Sequence, residues 1–445
     1  MRTKLLRNLI LPLGDRLFGQ NMMARLKFLE SAQYWPREKI ISKQSNDLQN
    51  LIQIAYHEVP FYQKLLDDKG IKPDTIRTKE DLARLPVVTK DMLRESFPHQ
   101  TTRKTGQKTY LVSTSGSTGK NFYVLEDSFT AGWYRATFML ELGWAGWSIG
   151  EPHLQTGMTL NRSLDRRIKD RLFNCHYFSA YQLDDLHLEA ILIEIEKYNL
   201  DHLWGYPGSL YLIAKYANRL GWNKPLKSIV SWGDTLFPHY RNALESVFHT
   251  KVIDTYGCAE GFHIAGQCGA SNHYHTHDLD VIVEYLDERN DPVPYGRPGS
   301  VIITRLHPGP MPLIRYQVGD IATPKSGMCS CGRSFGLIKS IQGRDTDVIF
   351  TPDGNRLIVH FFTGILEHFS EIDSFQVVQK DINSILLLIV LRDNSDPTIQ
   401  QRVINALKQK GTGKLKINIQ IVDEIPLTKG GKRRFVISNL SQNND

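Results

Sequence analysis

Cysteine is scarce in this chain, with five in 445 residues. So sparse and odd a set cannot frame a fold of this length with disulfides, and it points to a reducing compartment, the cytoplasm. Long apolar runs are missing too. Residues 385–391 are apolar throughout but fall far short of the ~20 residues a spanning helix needs, so no membrane span is expected. The basic N-terminal stretch, residues 1–18, is interrupted by Pro12, Gly14, Asp15 and Arg16 before a signal-peptide core could form, and it reads as an amphipathic helix packed on the body. There is no low-complexity tract and no block of one charge. The net charge of +7 is scattered, which argues against a nucleic-acid face and fits a small anionic ligand.

What is present centres on YLVSTSGSTGK, residues 110–120. It starts as a strand and becomes a run of hydroxyls and glycines closed by a lysine. Glycine lets backbone N–H groups turn inward, hydroxyls add donors, and Lys120 adds a compact positive charge, so the loop can wrap a polyphosphate. It is not a Walker A loop, because Thr114 stands where that pattern needs Gly and Asn121 where it needs Ser or Thr.

The flanking chain alternates. Apolar spacing predicts helices before Pro60, over residues 127–143, 186–198 and 209–220, and through YRNALESVF. Strands fall at residues 200–203, SIVSWGD and KVIDTYG, and this alternation predicts βαβ units with a parallel sheet. From about residue 276 to 321, DVIVEYL, GSVIITRL and PLIRYQVGDIA form short strands between Pro- and Gly-rich turns, the pattern of an antiparallel sheet or small barrel. The last hundred residues read as strands and helices of a separate α+β domain. The expected architecture is therefore α/β. A large N-terminal domain (1–343) carries mostly parallel sheets flanked by helices plus a barrel-like part, and a small C-terminal α+β domain (344–445) follows the polar GRDTD stretch at residues 343–347.

Four further segments carry unusual residue types: DTYGCAEG (254–261), RYQVGD ending at Asp320, GRDTD, and TKGGK ending at Lys432. Their order after the hydroxyl-rich loop is Y-G-x-x-E, R-Y-x-x-G-D, G-R, then a terminal G-K. In this order, and in VPFYQKLL…GIKPDTIRTKEDLARLPVVTKDMLR before the loop, the chain resembles adenylate-forming enzymes. It is most similar to the phenylacetate–CoA ligase family and its relatives from capsular-polysaccharide clusters, over residues ~45 to ~440.

The resemblance implies a function and assigns residues to it. The chain would be an AMP-forming acid–thiol ligase that uses ATP, Mg²⁺ and a small-molecule carboxylate to make an acyl-AMP, then an acyl thioester with coenzyme A. Ser115, Gly116, Ser117, Thr118, Gly119 and Lys120 would hold the β- and γ-phosphates. Tyr256, with Gly257, would stack beside adenine, and Gly233 and Asp234 would lie near it. Glu260 would help to bind Mg²⁺, Asp320 would accept the ribose hydroxyls, and Arg344 would sit at the ribose or phosphate edge. Lys432, a catalytic residue with Glu260 and Lys120, would neutralise the carboxylate and α-phosphate during adenylation. Two positions depart from the family pattern: Thr346 stands at the pivot where an acid or lysine is common, and Asn121 stands where a proline often follows the loop. Alternatives are acyl transfer to an amine, a hydroxyl of a sugar acceptor or a carrier protein, and an inactive nucleotide-binding relative. Related enzymes pair, so a homodimer is an expectation.

The cysteines add an independent signal. Cys268 with His275, and Cys329 with Cys331, form two short pairs separated by a folded segment, as in a structural Zn²⁺ site of the Cys₃His kind, with His273 or His277 able to replace His275. Cys258 and Cys175 have no base placed beside them and read as inert. Residues 203–216 and 263–267 are expected, by family analogy, to line the acyl pocket through Tyr206, Pro207, His263 and Gln267. Trp144 and Trp147 read as core.

Overall fold

Helix boundaries follow local chemistry. The helix Arg37–Glu58 stops before Pro60, and Pro60 opens the next helix, Pro60–Asp67, where its fixed φ suits the first turn and its missing N–H is not needed. Asp127 caps the helix Ser128–Trp144 in a reciprocal capping box with Thr130, within a residue of the expected span. Asp184 accepts from the His187 backbone N–H and caps the helix Asp185–Lys197.

The computed structural model describes residues 6–17, 19–115, 121–159, 162–180, 183–342, 349–357, 359–366, 368–369, 371–391, 397–425, 435–438 and 440. The chain divides into two compact units, one of residues 1–114, 122–149 and 253–342, the other of residues 115–121, 150–252 and 343–445. The junction expected at residues 343–347 lies outside the described residues.

The first unit is built on strands in the spatial order Val281–Leu286, Gly299–Arg305, Tyr316–Lys325, Leu337–Gln342, Ser271–Thr276, Phe262–Cys268 and Val252–Cys258. Every one of these pairings is antiparallel. The antiparallel part thus takes in more of the chain than the Pro- and Gly-rich stretch alone indicates. Its core joins Leu48, Leu51 and Ile52 of the long helix to Val281, Val301 and Ile303 of the strands. Trp144 and Trp147 are buried, as expected of core residues. At the N-terminus, Leu6–Ile10 and Leu11–Leu17 are helical, with Leu6 buried.

The second unit holds the expected parallel sheet, in the order Ser228–Ser231, His202–Gly205, His153–Gly157 and Cys175–Ser179. Leu154, Leu203 and Ile229 pack with Ile191 and Ile213 of the covering helices. The helix Leu164–Phe173 falls outside the sequence expectations. Most of its ten residues are charged and none is buried, so no core-facing stripe marks it. The C-terminal residues form a four-stranded mixed sheet, Lys416–Ile421, Ser384–Leu391, Ile372–Asp381 and Val436–Ser438, with Phe361, Val377, Leu387 and Val403 in its core. Among the described residues no helix is long and apolar enough to cross a membrane.

Within the first unit one buried ion pair fixes the relative places of three segments. Arg305, 2% exposed, donates through Nη1 to Glu126 Oε1 at 2.5 Å and through Nη2 to the Gly261 carbonyl at 3.1 Å and the Thr130 carbonyl at 3.3 Å. Removing the guanidinium strands the Glu126 carboxylate in a dry site. Arg305→Met is therefore expected to lower unfolding free energy by about 3–5 kcal/mol in urea titrations. Arg305→Met combined with Glu126→Leu should recover most of that loss, and a double variant no better than the single one would contradict the assignment.

Candidate active site

Two strands of the first unit bring together motif residues about sixty positions apart in sequence. Tyr256 lies on Val252–Cys258 with Glu260 in the turn that follows, and Tyr316 and Asp320 lie on Tyr316–Lys325. The two segments exchange hydrogen bonds. Tyr256 donates through Oη to Asp320 Oδ2 at 2.9 Å, and Tyr316 donates to Glu260 Oε1 at 2.6 Å. Each tyrosine stands four residues before the carboxylate that its opposite number holds.

The backbone around these groups is set by position-specific residues. Gly319, just before Asp320, has φ +98°, and Gly261, just after Glu260, has φ +95°, a region that a side chain rarely enters. A Cβ on Gly261 would also come within 3.1 Å of the Glu126 carboxylate. Arg315 is held at φ +47° because its buried guanidinium reaches Glu284 at 2.9 Å and the Leu85 carbonyl. Val88 then bonds the backbone on both sides of Tyr316, from its N–H to the Arg315 carbonyl at 2.8 Å and from the Gln317 N–H to its carbonyl at 2.9 Å. That docking delivers Lys90, in the first turn of the Thr89-capped helix Lys90–Ser96, to within 2.9 Å of Glu260 Oε1.

The electrostatics follow from these contacts. Glu260 is 2% exposed. Burial pushes its carboxyl upward, but Lys90 and the Tyr316 hydroxyl outweigh that and hold it below the ordinary carboxylate range. Burial and the adjacent Asp320 raise the Tyr256 phenol well above its usual value, so it stays a donor. Asp320 is half-buried. The arrangement offers one dry anion balanced by a lysine beside one half-buried anion oriented by a phenol. Such a pair can meet a cation and a vicinal diol.

Of the other expected residues, Gly257 follows Tyr256 on the same strand. Gly233, with φ +80°, and Asp234, which accepts from the Thr235 N–H at 2.7 Å, follow the strand Ser228–Ser231 of the second unit. Ser115 ends the strand Thr109–Ser115, while Gly116, Ser117, Thr118, Gly119, Lys120, Arg344 and Lys432 lie outside the described residues. Sequence reasoning gave no role to Lys90 or Tyr316. The Tyr316 position was visible inside R-Y-x-x-G-D, but Lys90 carried no signal, since its partner lies 170 residues away.

The four expected metal ligands converge. One ligand atom from each of Cys268, His275, Cys329 and Cys331 lies within 4.8 Å of the others. Cys268 Sγ to Cys329 Sγ is 3.7 Å, and Cys331 Sγ to His275 Nε2 is 3.4 Å. A tetrahedral Zn²⁺ with bonds of about 2.3 Å to sulfur and about 2.0 Å to nitrogen spaces its ligands roughly 3.5–3.8 Å apart, so the donor set fits that ion. Burial lowers the His275 imidazole to about 4, leaving it neutral as a ligand must be. The group contains His275, whereas His277 is engaged by Glu141 at 2.8 Å. The two remaining thiols read as inert here as in the sequence. Burial and Glu260 push Cys258 well up, and burial pushes Cys175 up to about 12.

Residues 349–439 match the CapK C-terminal domain family. Nearly the whole chain is similar to the phenylacetate–coenzyme A ligase of Thermus thermophilus, 22% identical over 440 residues that cover 90% of this chain and 97% of that protein. It is also similar to Protein CapK of Staphylococcus aureus, 22% identical over 445 residues that cover 97% of each. The chain is a relative of the phenylacetate–coenzyme A ligases and of CapK. Its fold agrees with a crystal structure of 2-hydroxyisobutyryl-CoA ligase in complex with 2-HIB-AMP and CoA in the thioesterification state, at TM-score 0.61, 19% identity and 91% coverage of both chains. The postadenylation state of that ligase in complex with 2-HIB-AMP gives TM-score 0.60 at 18% identity, with 92% and 93% covered. The fold it shares with that ligase is an α/β one.

The lowered Glu260 carboxyl gives a pH signature. Its stabilising contribution is complete above the ordinary glutamate value of about 4.3 and is lost as pH falls through the lower folded value. Wild type should therefore exceed Glu260→Gln in unfolding free energy by a constant margin above about pH 6, and the margin should shrink steadily below about pH 4.5. A margin independent of pH between 3 and 7 would rule out an ionised, stabilised Glu260.

Proposed function

We propose that this chain is an adenylate-forming ligase. It joins a carboxylate to AMP at the expense of ATP and then passes the acyl group to a thiol, that of coenzyme A. The observation that carries the reading is the crossed pair Tyr256–Asp320 and Tyr316–Glu260, which orders two carboxylates before any ligand binds. Whole-length similarity to proteins named as acid–CoA ligases supports it.

In the first step a carboxylate oxygen attacks the α-phosphorus, and the bond to pyrophosphate breaks. Asp320 accepts the ribose hydroxyls, since a half-buried carboxylate suits a vicinal diol. Tyr256 flanks the adenine together with Gly257, and Gly233 and Asp234 contribute to binding the same base. Residues 115–120 hold the departing phosphates. Mg²⁺, when bound, neutralises the phosphate oxygens, and Glu260 contributes to holding it. Lys432 balances the converging anions of acid and α-phosphate, with Arg344 at the ribose or phosphate edge. The C-terminal part, residues 344–445, then turns about residues 343–347 and withdraws Lys432. In the second step the thiol sulfur attacks the acyl carbon, AMP leaves with the bonding pair, and the thiol proton goes to solvent. Cys268, His275, Cys329 and Cys331 hold a structural Zn²⁺ that ties the strands Phe262–Cys268 and Ser271–Thr276 to the turn at residues 329–331.

ATP–pyrophosphate exchange against a carboxylate library tests the central claim: exchange should require an acid, and Asp320→Ala should lower kcat/KM for ATP by about 100-fold or more. Lys432→Ala should abolish exchange while thioester formation from supplied acyl-AMP persists, and equal loss of both half-reactions would remove the assigned role. Presenting coenzyme A, amines, sugars and carrier protein as acceptors identifies which one takes the acyl group. Protein purified without chelator should carry about one equivalent of zinc, lost together with thermal stability in Cys329→Ser and Cys331→Ser.

A further inference from the structure

One buried polar group beside the candidate site has no hydrogen-bond partner among the described residues. His263 lies on the strand Phe262–Cys268, paired in register with Gly257, the neighbour of Tyr256. Its side chain is 7% exposed. Its ring stacks against Tyr134 and Phe138 at 4.7 and 4.9 Å between centroids. Next along the same helix face, Glu141 is fully buried, with Oε2 3.0 Å from His263 Nδ1 and Oε1 2.8 Å from His277 Nε2. Its berth exists because Gly266 has no side chain: a Cβ there would sit 2.5 Å from Oε1. His277 is committed, bonded to Glu141 and stacked on Trp144 at 5.4 Å. His263 is not. The Glu141 contact lacks hydrogen-bond geometry, and neither ring nitrogen of His263 has a hydrogen-bond partner among the described residues.

A chain rarely buries an imidazole with an unmet nitrogen, because the lost hydration is uncompensated until a partner arrives. Glu141 Oε2 stands against the Nδ1 side of the ring at 3.0 Å, so Nε2 is the atom left to meet a ligand. A hydroxyl can donate to a bare nitrogen or accept from a protonated one, whereas a hydrocarbon can do neither. The two aromatic rings exclude water, which sharpens the difference.

We propose that His263, braced by Glu141, selects a hydroxyl-bearing carboxylic acid over its hydrocarbon counterpart by hydrogen-bonding the substrate's hydroxyl through Nε2. This names the substrate class for the ligase reading given above and rests on it. His263 is the contact residue, and Glu141 is a positioning residue that acts through it.

The test uses the full-length protein in acid-dependent ATP–pyrophosphate exchange with matched pairs: 2-hydroxyisobutyrate and isobutyrate, 3-hydroxybutyrate and butyrate, and 4-hydroxyphenylacetate and phenylacetate. Wild type should favour the hydroxylated member of at least one pair by about 10–100-fold in kcat/KM. His263→Phe should erase that preference through the KM for the acid, leaving the KM for ATP in place. Glu141→Gln should reduce it, and His263→Asn should restore part of it. Exchange that is present but shows no hydroxyl preference, or a preference that survives His263→Phe, overturns this inference alone. So does a rise in the KM for ATP, which would assign the ring to the nucleotide. Absence of exchange with every acid removes the ligase reading, and this inference falls with it.

Discussion

The first unit depends on a buried guanidinium. Arg305 joins the strand that leaves the hydroxyl-rich loop, through Glu126, to the start of the helix Ser128–Trp144, through the Thr130 carbonyl, and to the turn behind Glu260, through the Gly261 carbonyl. Burial works against its charge, but Glu126 and Asp280 more than compensate and hold the pKa above the ordinary value. A charge so placed is stable only while all its acceptors are present, so the three segments take one relative arrangement or lose the pair. Lysine could not replace it, because a single ammonium cannot reach three acceptors in a fixed plane. Glu260 is therefore positioned from behind as well as by Tyr316 and Lys90 in front.

The two motif carboxylates are made unlike by their surroundings. Glu260 is dry, paired and ionised, while Asp320 is half-buried and held by one phenol. In the proposed reaction these are the properties required of a group that meets a cation and a group that meets a diol. Because Lys90 balances Glu260 in the ligand-free chain, the site carries no bare buried charge while it waits. A cation arriving at Glu260 must exchange with that lysine rather than fill a void.

Much of the fold was legible because local rules decided it. Pro60 at a helix start, the Asp127–Thr130 box and the Asp184 cap all act within four residues of themselves. The order of the motifs and the pairing of Cys268 and His275 with Cys329 and Cys331 were legible as well, since residue type and short spacing carry that information. Lys90 was not. Its meeting with Glu260 depends on Arg315 entering a left-handed conformation to satisfy Glu284 and on Val88 docking beside it, two long-range events with no local trace. The helix Leu164–Phe173 escaped for the opposite reason, since it buries nothing and leaves no core stripe to read.

Glu141 shows where a signal did exist. A glutamate in mid-helix usually belongs to a solvated face, and its own identity argues for that. Its neighbours at helical spacing argue otherwise: Thr137 and Phe138 stand one turn before it and Trp144 one turn after, so the position falls on the core-facing stripe of Ser128–Trp144. An acid on that stripe must find cationic or hydrogen-bonding partners: the facing strand offers His263 and a glycine that makes room, and His277 follows the next strand. The conflict between residue type and helical phase marks a place where packing alone does not explain the choice of side chain. Here that place adjoins the strand that carries Tyr256, so local inconsistency and candidate function coincide.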